Sequence, residues 1–335
     1  MADPTHFDEE LNLGSRGGVL AYAEYLLTRV ALGGAARLPR PAQNALFSAL
    51  ARVAARFDRR HTAAARSYLA EALGPEAARD DGRILRAYRH LFRLSVDAEA
   101  FDRRVPQERL LEHVEVEASD EVLAAMRSGR GGIMVTSHVG DWEAGSAVLP
   151  HLGMKPTYVI ARPPRNRFLS RHLLRVRERR QVVVMPRRGG MRQAASILEA
   201  GGWIAMLLDQ RPKGKHTLAP FFGRLAPCER GAAVLMKRLD TQLIFGACYL
   251  TERPFHYRLV FPRLVSAEEL SALSLEQVVA LVNGEMEQLI LRHPEQYFWL
   301  HDRYRDAPPE GAGSLAAAPA GAEASQGPSP GSSGR

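Results

Sequence analysis

Cysteine is almost missing from this chain. Only Cys228 and Cys248 occur in 335 residues, too few for a disulfide framework and without the spacing of a metal site. Both are expected as small buried apolar residues in a reducing compartment. Long apolar runs are missing too. No stretch of about 18 uncharged apolar residues occurs, which argues against a conventional membrane span. The nearest, Val19 to Leu32, is interrupted by Glu24 and Arg29 and is expected as an interfacial or packed helix. A secretory signal is not expected, because Asp3, Asp8, Glu9 and Glu10 precede the first apolar stretch. There is no internal repeat and no zinc-finger or helix-turn-helix signature. Negative charge is in short supply: 37 acidic residues face 45 basic ones, a net +8. Such a balance favours acidic partners (nucleic acid, anionic lipid, phosphorylated sugars or an acidic carrier protein) without choosing among them.

What is present is enough apolar material to fold, 46% hydrophobic against 24% charged. Residues 1–18 read as a flexible N-terminus and residues 19–113 as a helical, membrane-associating region. Within it Leu46, Phe47, Leu50, Val53, Ala54 and Phe57 recur at helical spacing, with Arg52, Arg56, Arg59 and Arg60 between and after them. That pattern fits a helix packed on the protein core, and it also fits a basic amphipathic helix lying on an anionic membrane.

Residues 114–306 read differently. Short apolar runs at Gly132–Thr136, Thr157–Ile160, Val182–Met185, Trp203–Leu208, Leu243–Leu250 and Tyr257–Val260 alternate with helical stretches at Ser119–Ser128, Trp142–Leu152, Phe168–Arg180, Met191–Ala200 and Cys228–Leu239. Alternation of this kind predicts an α/β sheet covered by helices on both faces. A last helix is expected over Leu275–Leu291, stopped before Pro294. From residue 307 to 335, 24 of 29 residues are Ala, Gly, Pro or Ser, a tail that cannot bury a core and is expected to be disordered.

The most informative stretch is Gly131 to Glu143. A glycine-led apolar strand runs into His138, and Glu143 follows five residues later. Deprotonating a hydroxyl needs a base that titrates near neutrality and an anion that fixes its tautomer and stabilises the imidazolium. This pair supplies both and points to acyl transfer to an alcohol. Of the eleven histidines, His301 with Asp306 shows the same spacing, but in a polar stretch leading to the tail. Ser137 adjoins His138, yet neighbouring side chains on a strand face opposite ways, so a Ser–His pair is not expected.

Three further features accompany it. Residues 162 to 192 hold eleven arginines and one acid, Glu178; without balancing acids the guanidinium forks suit a phosphorylated headgroup or acidic donor. Asp209-Gln210 ends an apolar run, at the sheet edge where open α/β sheets bind ligands. Pro220-Phe221-Phe222-Gly223 reads as a tight apolar loop that cradles an acyl chain or simply packs. The closing Gln296–Tyr304 stretch is aromatic and reads as core, with a membrane interface as the other possibility.

In this order the motifs resemble the bacterial lipid A biosynthesis acyltransferase family. Its His-x-Gly-Asn-Trp-Glu signature is matched by His138-Val139-Gly140-Asp141-Trp142-Glu143, and its Arg-Pro-x-x-Asn by Arg162-Pro163-Pro164-Arg165-Asn166. Asp209-Gln210, Pro220–Gly223 and Gln296–Tyr304 resemble later landmarks, so the likeness spans about residues 20 to 306. It implies a glycerol-phosphate-acyltransferase-like mixed α/β sheet flanked by helices, with a helical N-terminal region. It implies an acyl carrier protein thioester as donor and a lipid A precursor or related anionic glycolipid as acceptor. It also implies a peripheral or weakly anchored place on the cytoplasmic face of the cell inner membrane. His138 corresponds to the general base and Glu143 to its orienting carboxylate, while Arg162, Asn166, Asp209 and Gln210 are candidates for substrate binding. No cofactor and no metal is called for. Two departures bear on the acceptor: Asp141 stands where the signature has asparagine, and the N-terminal membrane helix is weak. The rival readings are a glycerophospholipid or mannosylated phosphoinositide acyltransferase using acyl-CoA, a degenerate acyltransferase acting only as a membrane-bound partner, and a basic nucleic-acid-binding protein.

Overall fold

The computed structural model describes residues 16–161, 164–186 and 190–308. The 1–18 reading, apart from residues 16–18, and the tail beyond residue 308 lie outside the described residues, as does Arg162.

Five helices come first: α1 (Val19–Ala35), α2 (Arg40–Phe57), α3 (Arg59–Leu73), α4 (Pro75–Arg79) and α5 (Asp81–Arg104). Their ends follow local chemistry. Asp58 caps α3 by accepting from the His61 amide, Gly74 ends it at φ 88°, and Asp80 caps α5 through the Gly82 amide. The α5 helix is fastened to α2 by an ion pair to a buried acid, Arg40 to Asp97 at 2.8 Å, with Arg93 of α5 also bonded to Asp97.

The rest alternates: β1 (Val114–Ala118), α6 (Asp120–Arg127), β2 (Gly132–Thr136), α7 (Trp142–Val148), β3 (Thr157–Ala161), α8 (Arg167–Arg179), β4 (Val182–Pro186), α9 (Gly190–Glu199), β5 (Trp203–Leu207), β6 (His216–Phe221), β7 (Arg224–Glu229), α10 (Arg230–Arg238), β8 (Leu243–Leu250), β9 (Tyr257–Val265), α11 (Ala267–Ala272) and α12 (Leu275–Arg292). Seven strands form one mixed sheet in the order β1-β9-β8-β2-β5-β3-β4. Every neighbouring pair is parallel except β8 with β9. The expected α/β class is therefore the observed one.

Strand period places alternate side chains in two cores. On β2, Ile133 and Val135 join one cluster while Met134 joins the other. On β8, Leu243, Phe245, Ala247 and Tyr249 join the first, and Ile244 and Cys248 the second. Both sheet faces are thus covered, and Cys228 and Cys248 are buried free thiols.

Three expectations need correction. The apolar stretch Pro220–Gly223 is no acyl-chain loop: Phe222 and Gly223, both at positive φ, make the two-residue turn between the antiparallel β6 and β7. Phe221 is fully buried against Tyr68 and Arg303. The α2 pattern splits into two faces. Phe47 and Ala51 point inward, whereas Leu46, Leu50, Val53 and Phe57 are exposed, Phe57 by 80%. The arginine concentration does meet acids, supplied by other elements: Arg179 and Arg180 pair with Asp102 of α5, and Arg177 with Glu143. The aromatic stretch is core, with Tyr297, Trp299 and Tyr304 packed edge-on around Tyr68.

Candidate active site

Strands β2 and β5 lie side by side and run parallel, with Thr136 opposite Leu207. Two residues further along each chain stand His138 and Asp209. The register alone therefore brings an imidazole and a carboxylate 71 positions apart in sequence to one point on the carboxyl edge of the sheet, where open α/β sheets place ligands. The contact is close on two atoms. The His138 ring nitrogen Nδ1 lies 2.8 Å from Asp209 Oδ1, and the His138 backbone amide donates to Oδ2 at 3.0 Å.

Asp209 is buried while the His138 side chain keeps 20% of its surface. Burial pushes the Asp209 carboxyl up, but the His138 imidazole, its two hydrogen bonds and the Tyr297 hydroxyl outweigh this and hold it below the ordinary 3.8. The Tyr297 hydroxyl donates to Oδ2 at 2.9 Å, and the Tyr68 hydroxyl stands 2.8 Å from that of Tyr297. Burial raises both phenols well above their usual range, so both keep their protons and Tyr297 remains a donor. With Asp209 ionised, the proton shared with it sits on His138 Nδ1. The free lone pair is then on Nε2. The Gln210 side-chain amide donates to that Nε2 at 3.3 Å.

The loop that carries His138 is held on three sides. Gly140 sits at φ 65°, and a Cβ there would lie 1.9 Å from the Cys248 carbonyl oxygen, so only glycine fits. The Gly140 amide donates to Gln296, and the Phe298 amide donates to the His138 carbonyl. Trp142 packs edge-on against the imidazole with centroids 5.0 Å apart. Asp141 caps α7 by accepting from the Ala144 amide, and complete burial pushes its carboxyl up to about 7. Ser137 is fully buried with its hydroxyl facing no partner.

Beside this edge opens a cleft of about 440 Å³. His138, Trp142, Glu143, Arg177, Gln210 and Arg211 give it polar walls, and Val159, Ile160, Met206, Leu207 and Leu208 an apolar lane. Among the sequence candidates the structure brings together His138, Glu143, Asp209 and Gln210. It does not make Glu143 the partner of the imidazole. That carboxylate, in the first turn of α7, accepts from Arg177 Nε at 3.2 Å and from a second Arg177 nitrogen. Burial raises it, while the Arg177 charge and hydrogen bonds outweigh this and leave it below its ordinary value. The hydrogen bond to the imidazole expected of Glu143 is made by Asp209. Asn166 is not at the site either. It caps α8 by accepting from the Phe168 and Leu169 amides, and its own amide donates to the Ala21 carbonyl of α1. His301, the other spacing match, accepts the Arg211 backbone amide at 2.9 Å and does not touch Asp306.

The sequence reading missed Tyr297, Tyr68 and Arg177 as contributors. Tyr297 falls inside a landmark stretch, and only the fold shows that its hydroxyl faces Asp209. No group of three or more His, Cys, Asp or Glu residues arranged to hold a metal ion occurs among the described residues.

An imidazole bonded to a buried carboxylate thus stands beside a cleft with an apolar lane at the edge of a mixed α/β sheet, an arrangement whose chemistry suits proton removal from a hydroxyl. The family model for the bacterial lipid A biosynthesis acyltransferase matches residues 16–306, so this chain belongs to that family. Two curated relatives are the lipid A biosynthesis palmitoleoyltransferase of Escherichia coli (strain K12) and the lipid A biosynthesis acyltransferase of Shigella flexneri. Each is 26% identical over 208 residues, covering 61% of this chain. The match spans 65% of the length of each relative.

Proposed function

We propose that this protein is an acyltransferase that moves a fatty acyl group from an acyl carrier protein thioester to a hydroxyl of a lipid A precursor or a closely related glycolipid. The observation that carries the reaction type is the 2.8 Å contact between His138 and Asp209 at the cleft. The acceptor class rests on family membership. Both relatives are named for lipid A biosynthesis, which supports the same reading.

In this mechanism the acceptor hydroxyl replaces Gln210 at Nε2 of His138. The base removes the proton as the oxygen attacks the thioester carbonyl. Asp209, ionised and bonded to Nδ1, stabilises the imidazolium that forms. Glu143 lies within electrostatic reach of the same ring and adds to that stabilisation, muted by its pairing with Arg177. Collapse of the tetrahedral intermediate expels the thiolate, which takes the proton from His138. No enzyme-bound acyl intermediate is required. Gln210 and Arg211 line the cleft on the side of the reacting group and are the polar contacts for substrate; Arg162, outside the described residues, is a further candidate for the developing oxyanion on the family resemblance alone.

The membrane surface is the proposed working site, on the cytoplasmic face of the inner membrane. No helix among the described residues is long and apolar enough to cross a bilayer. The exposed apolar side chains of α1 (Val19, Leu20, Leu27 and Val30) and of α2 (Leu46, Leu50, Val53 and Phe57), with Arg52, Arg56, Arg59 and Arg60 nearby, fit peripheral docking on anionic lipid. Replacing Leu50, Val53 and Phe57 by glutamine should cut sedimentation with anionic vesicles severalfold; unchanged sedimentation would discard this surface.

The reaction is tested by incubating the purified chain with radiolabelled acyl carrier protein or coenzyme A thioesters and a lipid A precursor or lysophospholipid. Transfer from the carrier protein to the lipid A precursor, abolished in His138→Ala, is the expected result. Transfer only from coenzyme A to the phospholipid would move the assignment to glycerophospholipid synthesis. Wild-type turnover in His138→Ala would remove the proposed base.

A further inference from the structure

A second and larger cleft, about 870 Å³, opens at the same sheet edge on the other side of the His138 loop. It shares no lining residue with the catalytic cleft. Its walls are α5, α2, the turn between β8 and β9, and the residues after α12. Five arginines line it, Arg86, Arg89, Arg93, Arg253 and Arg258, against three glutamates. Two of those glutamates are already engaged: Glu115 accepts from Arg258 at 2.9 Å, and Glu295 pairs with His293 at 3.0 Å. Arg86 is tied to Asp80 and Arg93 to Asp97 through its Nε. Arg89 and Arg253 have no ion pair among the described residues and are exposed. Two unspent guanidinium groups from different elements, in a roomy concave site of positive balance, suit a phosphate ester, whose oxygens take bidentate bonds from arginine.

The cleft also has a defined position relative to both the reaction and the apolar surface. His90, on its wall, donates from Nε2 to the Gly140 carbonyl at 3.2 Å, and Gln296, on the same wall, accepts the Gly140 amide. Burial holds the His90 ring down to about 4, so it stays neutral in this contact. An occupant of the cleft therefore lies one residue layer from the loop that carries the base. Asn44 and Phe47 of α2 form another wall, and a neighbouring face of that helix carries the exposed Leu46, Leu50 and Val53 stripe. The cleft thus adjoins the surface that suits a bilayer.

We propose that this cleft is a phosphate-ester site that receives the headgroup of an anionic lipid, with Arg89 and Arg253 as its principal cations. It rests on the cleft itself and stands whether or not the transfer reaction is the one proposed above. The phosphate belongs either to the acceptor glycolipid or to a neighbouring phospholipid of the bilayer.

The test is equilibrium binding without turnover. Glucose 1-phosphate, with glucose as control, is titrated by ligand-observed NMR into the full chain and its Arg89→Gln/Arg253→Gln variant. Phosphatidylcholine vesicles with and without phosphatidic acid form a second arm. The expected result is that the phosphorylated sugar binds and glucose does not. The double variant should weaken binding by about fivefold per arginine with unchanged thermal stability, and His138→Ala should bind as wild type. Vesicle binding that falls in parallel assigns the site to bilayer phospholipid; vesicle binding that stays assigns it to the acceptor. Equal affinity of the double variant and the wild type would overturn the proposal. So would loss of phosphate binding in His138→Ala, which would put the phosphate in the catalytic cleft. Failure to bind either phosphate probe, with carrier-protein binding lost in the double variant, would make the cleft a protein-docking site instead.

Discussion

Two segments bring a carboxylate to the cleft around His138, and they treat it in opposite ways. The end of β5 buries Asp209 and gives it the imidazole, the His138 amide and the Tyr297 hydroxyl as partners. The first turn of α7 leaves Glu143 partly open to the cleft and gives it an arginine. The first is a carboxylate whose negative charge is spent on one ring. The second is half-neutralised before any substrate arrives. Proximity along the chain favours Glu143, five residues from His138, whereas strand register favours Asp209. What orients a side chain is the hydrogen bond it makes, and here tertiary pairing, not spacing, decides it.

The largest effect is expected at Asp209. Asp209→Asn removes the anion that fixes the Nδ1–H tautomer and stabilises the imidazolium. Turnover should fall by about 10²–10⁴, the range for loss of acid–base catalysis, with the thioester KM little changed. A loss below tenfold would mean the ring is oriented by something else. Glu143→Gln should cost less, about 3–30-fold on the scale of one screened through-space charge. It should also free Arg177, so the thioester KM should move more than it does in Asp209→Asn. A larger loss in Glu143→Gln than in Asp209→Asn would reverse the ranking of the two carboxylates.

A third acid sharpens the contrast through stability. Asp141, where the family signature carries asparagine, is buried with no ion pair among the described residues, and burial raises it to about 7 from 3.8, the Arg180 charge only partly opposing this. The native state then keeps a proton that the unfolded chain releases, so stability falls as pH rises from about 4 to about 7. Asp141→Asn keeps the cap and removes the titration. It should be more stable than wild type by on the order of 3–4 kcal/mol at pH 8 and level with it below pH 4. Denaturant midpoints measured across that range check this; parallel curves would show that the carboxyl ionises without penalty.

Much of the α/β half was legible in the residues. The expected runs at Gly132–Thr136 and Leu243–Leu250 are β2 and β8 to the residue, because buried strands are written as unbroken apolar runs. Strand β1 went unseen. It is an edge strand whose Glu115 and Glu117 face solvent and pair with Arg258 and Arg292, so it lacks such a run. The β6–β7 hairpin was hidden because its turn is Phe222-Gly223, with an aromatic at positive φ where asparagine or glycine is the usual signal. At the site, His138 and its place at a strand tip could be read directly. Asp209 was placed at a sheet edge, but its distance to His138 depends on which strands are neighbours, and nothing in a 71-residue separation records that. The Arg-Pro-x-x-Asn resemblance pointed Asn166 at substrate, whereas the fold uses its side chain to cap α8 and to hold α1.

The geometry pairs Nδ1 of His138 with Asp209 rather than with Glu143. Nitrogen-15 NMR of histidine-labelled protein reads this directly. Wild type and Glu143→Gln should both show His138 protonated at Nδ1 with a downfield hydrogen-bonded proton, and Asp209→Asn should lose that resonance. A spectrum in which Glu143→Gln loses it while Asp209→Asn keeps it would make Glu143 the partner of the ring instead.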